Sequence, residues 1–166
     1  NIFNYKRTAL KPSFCIAFFI VLPYNLNMQT IEKTLEYHPL VMTLDDLTCA
    51  PVYELPLGYK FVFWQDDSDC IAWQDIHLST SEFASIEEAE QAFRDYLGVF
   101  YNNLCERCLF IENQKGEKIA TATVSPTVEL GYNCVIDWLA ISGKCQGRGL
   151  ARPLISRVLR LARELG

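Results

Sequence analysis

The sequence predicts an α/β (α+β) domain with a mixed, mostly antiparallel sheet flanked by helices. Three observations carry that class. Residues 59–64 and three runs between 108 and 141 are rich in β-branched and aromatic residues. Two helical patterns separate the first run from the others, and a third follows the last run. The order strand, helix, helix, strand, strand, strand, helix is not the alternation that builds a parallel doubly wound sheet.

Each element has a local reason. Tyr59-Lys-Phe-Val-Phe-Trp64 reads as an aromatic strand, and Asp66-Asp-Ser-Asp69 as a solvated turn that caps a short helix over 70–79. The turn lacks the glycine and distal glutamate of a calcium loop. Ser85-Ile-Glu-Glu88 has capping-box form, and Ile86, Ala89, Phe93, Tyr96, Leu97 and Phe100 continue it as one helical stripe. Cys108-Leu-Phe-Ile-Glu112 and Lys118-Ile-Ala-Thr-Ala-Thr-Val124 flank a turn containing Gly116 and form a hairpin. Cys134-Val-Ile-Asp-Trp-Leu-Ala-Ile141 is apolar enough to be a central, well-covered strand. Leu150, Leu154, Val158, Leu161 and Leu165 recur at helical spacing with Arg157, Arg160 and Arg163 between them. Residues 31–58 carry Pro39, Pro51 and Pro56, which discourage long regular elements.

The 166 residues suffice for one domain, and 50% hydrophobic residues supply its core. Disorder, collagen-like repeats and coiled coil are excluded by composition. The net charge of −5 argues against a general nucleic-acid binder. Charge is unevenly placed: residues 144–166 hold 6 basic and 1 acidic residue, against 9 and 19 in residues 1–143. A basic tail on an acidic chain suits a discrete anionic ligand. Seven cysteines, an odd number in a chain this large, argue against a disulfide framework and for a reducing, cytoplasmic setting. Cys105-Glu-Arg-Cys108 has no second pair to complete a zinc site.

Residues 1–27 begin with Asn1, carry Lys6, Arg7 and Lys11, and then an apolar run from Phe14 to Leu22. They read as a non-domain segment, either upstream sequence before an initiating Met28 or a signal-like stretch too short to span a bilayer. Residues 28–57 read as an N-terminal extension, and 58–166 as the domain. No membrane association is expected.

Chemistry concentrates in Ser142-Gly-Lys-Cys-Gln-Gly-Arg-Gly-Leu-Ala151. Gly147 and Gly149 let backbone approach a ligand, and the following helix offers free N–H groups and its positive dipole end. Such a turn favours a phosphate, with Lys144, Arg148 and Arg152 adding charge. There is no P-loop, because no G-K-[ST] follows, and no dinucleotide fingerprint, because Arg152 stands where a third glycine would be. From glycine content alone, a plain strand-to-helix turn is an equal reading.

Gln146-Gly-Arg-Gly-Leu-Ala151 resembles the Q/R-x-x-G-x-G/A signature of the GNAT superfamily of acyl-CoA-dependent N-acyltransferases. It lies between a hydrophobic strand ending in Leu139-Ala140-Ile141 and an amphipathic helix, as in that family. The resemblance covers roughly residues 58–166. It implies acetyl-CoA as cosubstrate, with its pyrophosphate on the backbone of residues 147–151 (Gly147, Arg148, Gly149, Leu150 and Ala151) after Gln146. The pantetheine arm and acyl carbonyl would lie on main-chain groups of Leu139, Ala140 and Ile141, as if the cofactor extended the sheet. The implied reaction is direct attack by a primary amine, of a small molecule or an amino terminus, on the thioester. A main-chain N–H near Leu139 is the expected oxyanion donor.

For the base, strand alternation puts Val135, Asp137, Leu139 and Ile141 on one face. Asp137 is the catalytic candidate, since burial there would raise its pKa toward a useful value. A buried aspartate fixing a loop or an arginine is the equal alternative. Glu129 and Tyr132 are weaker candidates; His38 and His77 read as structural or exposed, and Cys145 lacks a paired base. By the resemblance, a complete domain continues beyond this helix with strands that finish the cofactor cleft and often supply a tyrosine acid. The chain therefore reads as a C-terminally truncated domain lacking the C-terminal strands, with an open sheet edge and little activity by itself. Two other readings stand beside the enzyme: a non-catalytic acyl-CoA-binding or interaction module of the same fold, and an anion-binding helix end on an unrelated fold.

Overall fold

A computed structural model describes residues 13–18, 40–44, 46–126 and 132–165. Strands β1 (Ser13–Phe18) and β2 (Leu40–Leu44) come first in the chain, followed by β3 (Tyr59–Phe63) and helix α1 (Ser68–Leu78). Helix α2 (Ile86–Ala92) and a short α3 (Leu104–Arg107) then lead into β4 (Cys108–Asn113), β5 (Lys118–Pro126), β6 (Tyr132–Ile141) and α4 (Ala151–Leu165). They build one six-stranded sheet in the order β2-β1-β6-β5-β4-β3. β3 to β6 form an antiparallel meander, whereas β1 runs parallel to β6 and β2 antiparallel to β1.

The sequence reading leaves the sheet with an open edge and sets residues 1–27 apart from the domain. In the structure the apolar run at 13–18 is a strand, and it pairs with β6 only as far as Ile16 opposite Ile136. The ladder groups of the first half of β6 are thus matched by β1, which is itself covered by β2 at the sheet edge.

The hairpin between β4 and β5 turns as its residues dictate. The Asn113 side chain accepts from the amides of Lys115 (2.9 Å) and Glu117 (3.1 Å), and Gly116 takes φ +80°. β4 and β5, rather than β6, are the best-covered strands: Cys108–Ile111 and Ile119–Val124 are all buried.

Two apolar layers sandwich the sheet. Leu150, Leu154, Val158 and Leu161 of α4 pack with Leu109, Ile111, Val124 and Ile136 on one face. Trp64, Trp73, Ile76, Phe93, Leu97 and Leu104 pack with Cys108, Phe110 and Ala140 on the other.

The α1–α2 side departs from the sequence reading in two places. Asp66 accepts from the Ser68 amide at 2.9 Å, as a turn-former does, but Asp69 is 3% exposed and not solvated. It accepts from the Gln65 amide at 2.7 Å and forms an ion pair with Lys118 of β5, so one acid of the turn reaches the sheet. The stripe from 86 to 100 is not one α-helix. Ser85 and Glu88 cap α2 as expected, accepting from the Glu88 amide (3.3 Å) and the Ala84 amide (2.7 Å). Residues 93–97 then widen into a π-turn, and 98–103 tighten into 3-10 turns broken at Phe100. The π-turn brings residues four apart into line, so Ala89, Phe93 and Leu97 are buried while Ile86 and Tyr96 are exposed.

Candidate active site

The end of β6 runs through Ser142 and a 3-10 turn (Gly143–Cys145) into the loop before α4. Gly147 and Gly149 have φ +74° and +77°, and a Cβ on either would meet nothing within 4 Å. Glycine is therefore required there by backbone conformation and not by crowding. Within α4 the Leu154 amide bonds to the Leu150 carbonyl at 3.1 Å. The amides of Ala151 and Arg152 come before that first bond, and Pro153 has no N–H to give. The result is a left-handed turn opening onto amides at the positive end of a 15-residue helix.

Side chains brace this loop. Gln146 Nε2 donates to the Ile141 carbonyl at 3.2 Å, tying the loop to the strand end. The Arg148 guanidinium donates to the Lys144 carbonyl at 2.9 Å and reaches the Tyr59 hydroxyl at 3.5 Å. Arg148 thus holds the shape of the loop as well as adding charge, and Arg152 stacks over Tyr53. The Ser79 hydroxyl, just past α1, accepts from the Gly143 amide at 3.1 Å and links the loop to the opposite layer. Leu150 is buried under α4, and Ala151 is exposed as its first residue.

The strand feeding the loop is irregular. Thr121 opposes Ala140 and Thr123 opposes Asp137, so Trp138 and Leu139 share the single partner Ala122. This is a β-bulge, and Trp138 has φ +49°. Expected alternation fails at that point. Leu139 and Ile141 pack with the α4 layer, while Trp138 and Ala140 pack with the α1–α2 layer. Asp137, opposite Thr123, does not share a face with Leu139 and Ile141 as the sequence suggests, because the bulge adds one residue between them. Pairing with β1 stops at Ile136, before the bulge. Among the described residues, β6 past Ile136 is not paired with β1, while Asp137, Ala140 and Ile141 pair with β5 on either side of the bulge.

Asp137 lies beside the sheet with its carboxylate accepting from the Ser125 hydroxyl at 2.8 Å. Burial pushes its pKa up to about 7, against the opposing pull of that hydrogen bond. No cation pairs with it in the described structure, where the ion pairs are Lys60–Glu112, Arg94–Glu90, Lys118–Asp69 and Arg157–Glu164. The loop-fixing or arginine-bound aspartate of the alternative reading thus gains no ion pair. Glu129 and His38 lie outside the described residues, as does the side chain of Tyr132.

The sequence leaves His77 as structural or exposed, and the structure buries it. His77 is 3% exposed, and burial pushes its pKa down to about 3, so the ring is neutral at physiological pH. Its ring sits edge-on to the Trp138 ring at 5.5 Å between centroids. Trp73 and Phe83 complete the packing around Trp138, at 5.2 and 5.7 Å between centroids. The i,i+4 spacing of Trp73 and His77 was visible in the sequence, but nothing there placed the bulge beneath them.

Other candidates separate. Cys105 is exposed and Cys108 is buried in β4, and no group of metal-ligating side chains forms among the described residues. An open cleft of about 290 Å³ beside α1 is lined by Asp67, Cys70, Glu90, Phe93, Arg94 and Tyr101. Its acids are engaged, Asp67 by the Tyr101 hydroxyl and Glu90 by Arg94. No helix among the described residues is long and apolar enough to cross a membrane.

A bulged strand, a left-handed glycine turn and a helix N-terminus thus follow one another in an α/β fold. The sequence matches the acetyltransferase (GNAT) family over residues 70–166, and the chain belongs to that family. A GCN5-related N-acetyltransferase from Sphaerobacter thermophilus superposes with a TM-score of 0.56 at 17% identity, covering 70% of this chain and 36% of its own. A Pyrococcus horikoshii protein assigned as an acetyltransferase gives 0.51 at 16% identity, covering 68% and 37%. An Escherichia coli GNAT family N-acetyltransferase, solved in complex with CoA, gives 0.49 at 20%, covering 69% and 61%. The first two establish a shared fold, and this chain spans little more than a third of either. No curated protein matches the sequence.

Proposed function

We propose that the protein is an N-acetyltransferase that moves an acetyl group from acetyl-CoA to a primary amine by direct attack. The observation that carries this reading is the pair of left-handed glycines, Gly147 and Gly149, at the N-terminus of α4 and directly after β6. Acetyl-CoA is an extended ligand with a pyrophosphate at one end and a thioester at the other. The amides of residues 147–151 would take the pyrophosphate. The pantetheine arm would run along the main chain of Leu139, Ala140 and Ile141, the stretch of β6 not paired with β1.

In the reaction the amine nitrogen attacks the thioester carbonyl carbon. The C–O π electrons move to oxygen, and the Leu139 N–H stabilises that charge. The C–S bond then breaks, CoA leaves as the thiolate, and the nitrogen gives up a proton. Asp137 is the group we assign to accept it, directly or through one water, because a carboxyl near 7 exchanges protons at neutral pH. The reading as a non-catalytic acyl-CoA module differs at this residue alone, since cofactor binding does not need Asp137.

Calorimetric titration of the whole protein with acetyl-CoA tests the reading. Micromolar binding is expected, lost in Arg148→Glu, which reverses charge at the loop and breaks its tie to Lys144. Absence of binding by the folded protein would leave the glycines as a structural turn and refute the assignment.

A further inference from the structure

The Asp137 carboxylate has two oxygens on a soft final torsion, so its own side chain does not decide which oxygen faces a substrate. Neighbours must decide it. Directly across the ladder stands Thr123, fully buried, whose Oγ1 has no hydrogen-bond partner among the described residues. The carboxylate bypasses that hydroxyl for the diagonal one: Ser125 Oγ donates to Asp137 Oδ1 at 2.8 Å. Ser125 is opposite Val135, so the bonded oxygen leans back along β6, away from the bulge at Trp138 and Leu139. No other side chain among the described residues hydrogen-bonds to this carboxylate. The titratable groups nearby are neutral or engaged. Beyond Thr123, β4 presents the Cys108 thiol, which burial pushes up to about 11. On α1, Asp69 is paired with Lys118 and His77 is neutral. Arg107 of α3 donates to the Val124 carbonyl at 3.2 Å.

We infer that Ser125 is a positioning residue: by holding one oxygen of the Asp137 carboxylate away from the bulge, it presents the other oxygen to the proton of the attacking amine. This role rests on the proposed acetyl transfer, in which Asp137 is the proton acceptor. In the step, the N–H bond breaks with its electron pair left on nitrogen, and an O–H bond forms on Oδ2, directly or through one water. Oδ1 then remains as a carbonyl oxygen that still accepts from Ser125, so the carboxyl need not turn as it is protonated.

Three variants of the whole protein separate this bond from its surroundings. Ser125→Ala removes the donor at a half-buried strand end, Ser125→Thr keeps a hydroxyl, and Thr123→Val removes the bypassed one. In the ligand-free protein, carbon-13 NMR of the Asp137 carboxyl follows its titration. The midpoint, near 7 in wild type, should rise by about one pH unit in Ser125→Ala, because a hydrogen bond to the anion is lost. Ser125→Thr should bring it back, and Thr123→Val should leave it near wild type. An unmoved midpoint in folded Ser125→Ala, or an equal shift in Thr123→Val, would overturn the inference. Steady-state kinetics then separate titration from position. Well above both midpoints the carboxyl is ionised in every variant. There Ser125→Ala should still lose about tenfold in kcat with KM for acetyl-CoA little changed, and Ser125→Thr should recover it. Rates that converge with wild type at high pH would mean that the bond only tunes titration, and the positioning role would be refuted. If wild type transfers no acetyl group, the proposed function falls and the catalytic role of Ser125 with it. The ligand-free titration would still decide whether Ser125 holds the carboxylate.

Discussion

Asp137→Asn distinguishes a proton acceptor from a structural aspartate, because the two roles give opposite pH dependence of stability. The carboxyl is shifted from 3.8 to about 7 by burial, so the folded protein holds its proton more tightly than the unfolded chain does. Between those values unfolding releases a proton, and wild-type stability falls as pH rises. A shift of that size corresponds to about 4 kcal/mol; the residue is half-buried rather than sealed, so about 2–4 kcal/mol is expected. Asparagine keeps an oxygen to accept from Ser125 and has no charge to desolvate. Denaturant unfolding of both proteins at steps from pH 4 to 8.5 isolates this group from every other titrating side chain. The stability of Asp137→Asn relative to wild type should climb between about pH 4 and 7 and then level off. The same substitution should lower kcat/KM by roughly 10²–10⁴ and remove a limb of wild-type activity that rises through about pH 7. A difference that is flat with pH, or that favours wild type more as pH rises, would mean the fold stabilises the anion and would refute the base assignment.

Lys118→Met strips the cation from buried Asp69 and should destabilise the fold by about 3–5 kcal/mol in denaturant unfolding. Adding Asp69→Asn to it should recover part of that loss. Gly149→Ala, at φ +77°, should cost about 1 kcal/mol and also weaken acetyl-CoA binding in calorimetry. Gly116→Ala, at φ +80° in the distant hairpin, should have the same stability cost and leave affinity unchanged. Ser85→Ala should remove the α2 cap and cost about 1 kcal/mol, read as a lower thermal midpoint.

The meander was legible because each of its strands and turns carries local chemistry. Asn113 and Gly116 specify the hairpin, and Ser85 with Glu88 specifies where α2 starts. The loop from 142 to 151 was legible for the same reason, since Gly147 and Gly149 sit where left-handed backbone is needed. What was not legible depends on partners distant in sequence. Asp69 reads as solvated until β5 brings Lys118 to it. The apolar run at 13–18 reads as separate until β6 offers it an edge.

The bulge is the deepest case, because it contradicts its own sequence. Trp138 has no local preference for positive φ, and an unbroken period of two puts Asp137 and Leu139 on the same face. Packing from α1 decides otherwise. The added residue sends the Asp137 side chain to one face of the sheet and Leu139 to the other. That separation has a chemical use under the proposed function. A carbonyl polarised from the main chain must be reached by an amine, and the amine must lose its proton to a group beside the strand. In a regular strand the side chains two apart would compete for the same face. With the bulge, one strand offers a carboxylate from a face and an N–H from its backbone within three consecutive residues. Straightening β6, by deleting Leu139 for instance, should therefore abolish acetyl transfer even if the sheet still forms and the glycine turn still binds acetyl-CoA.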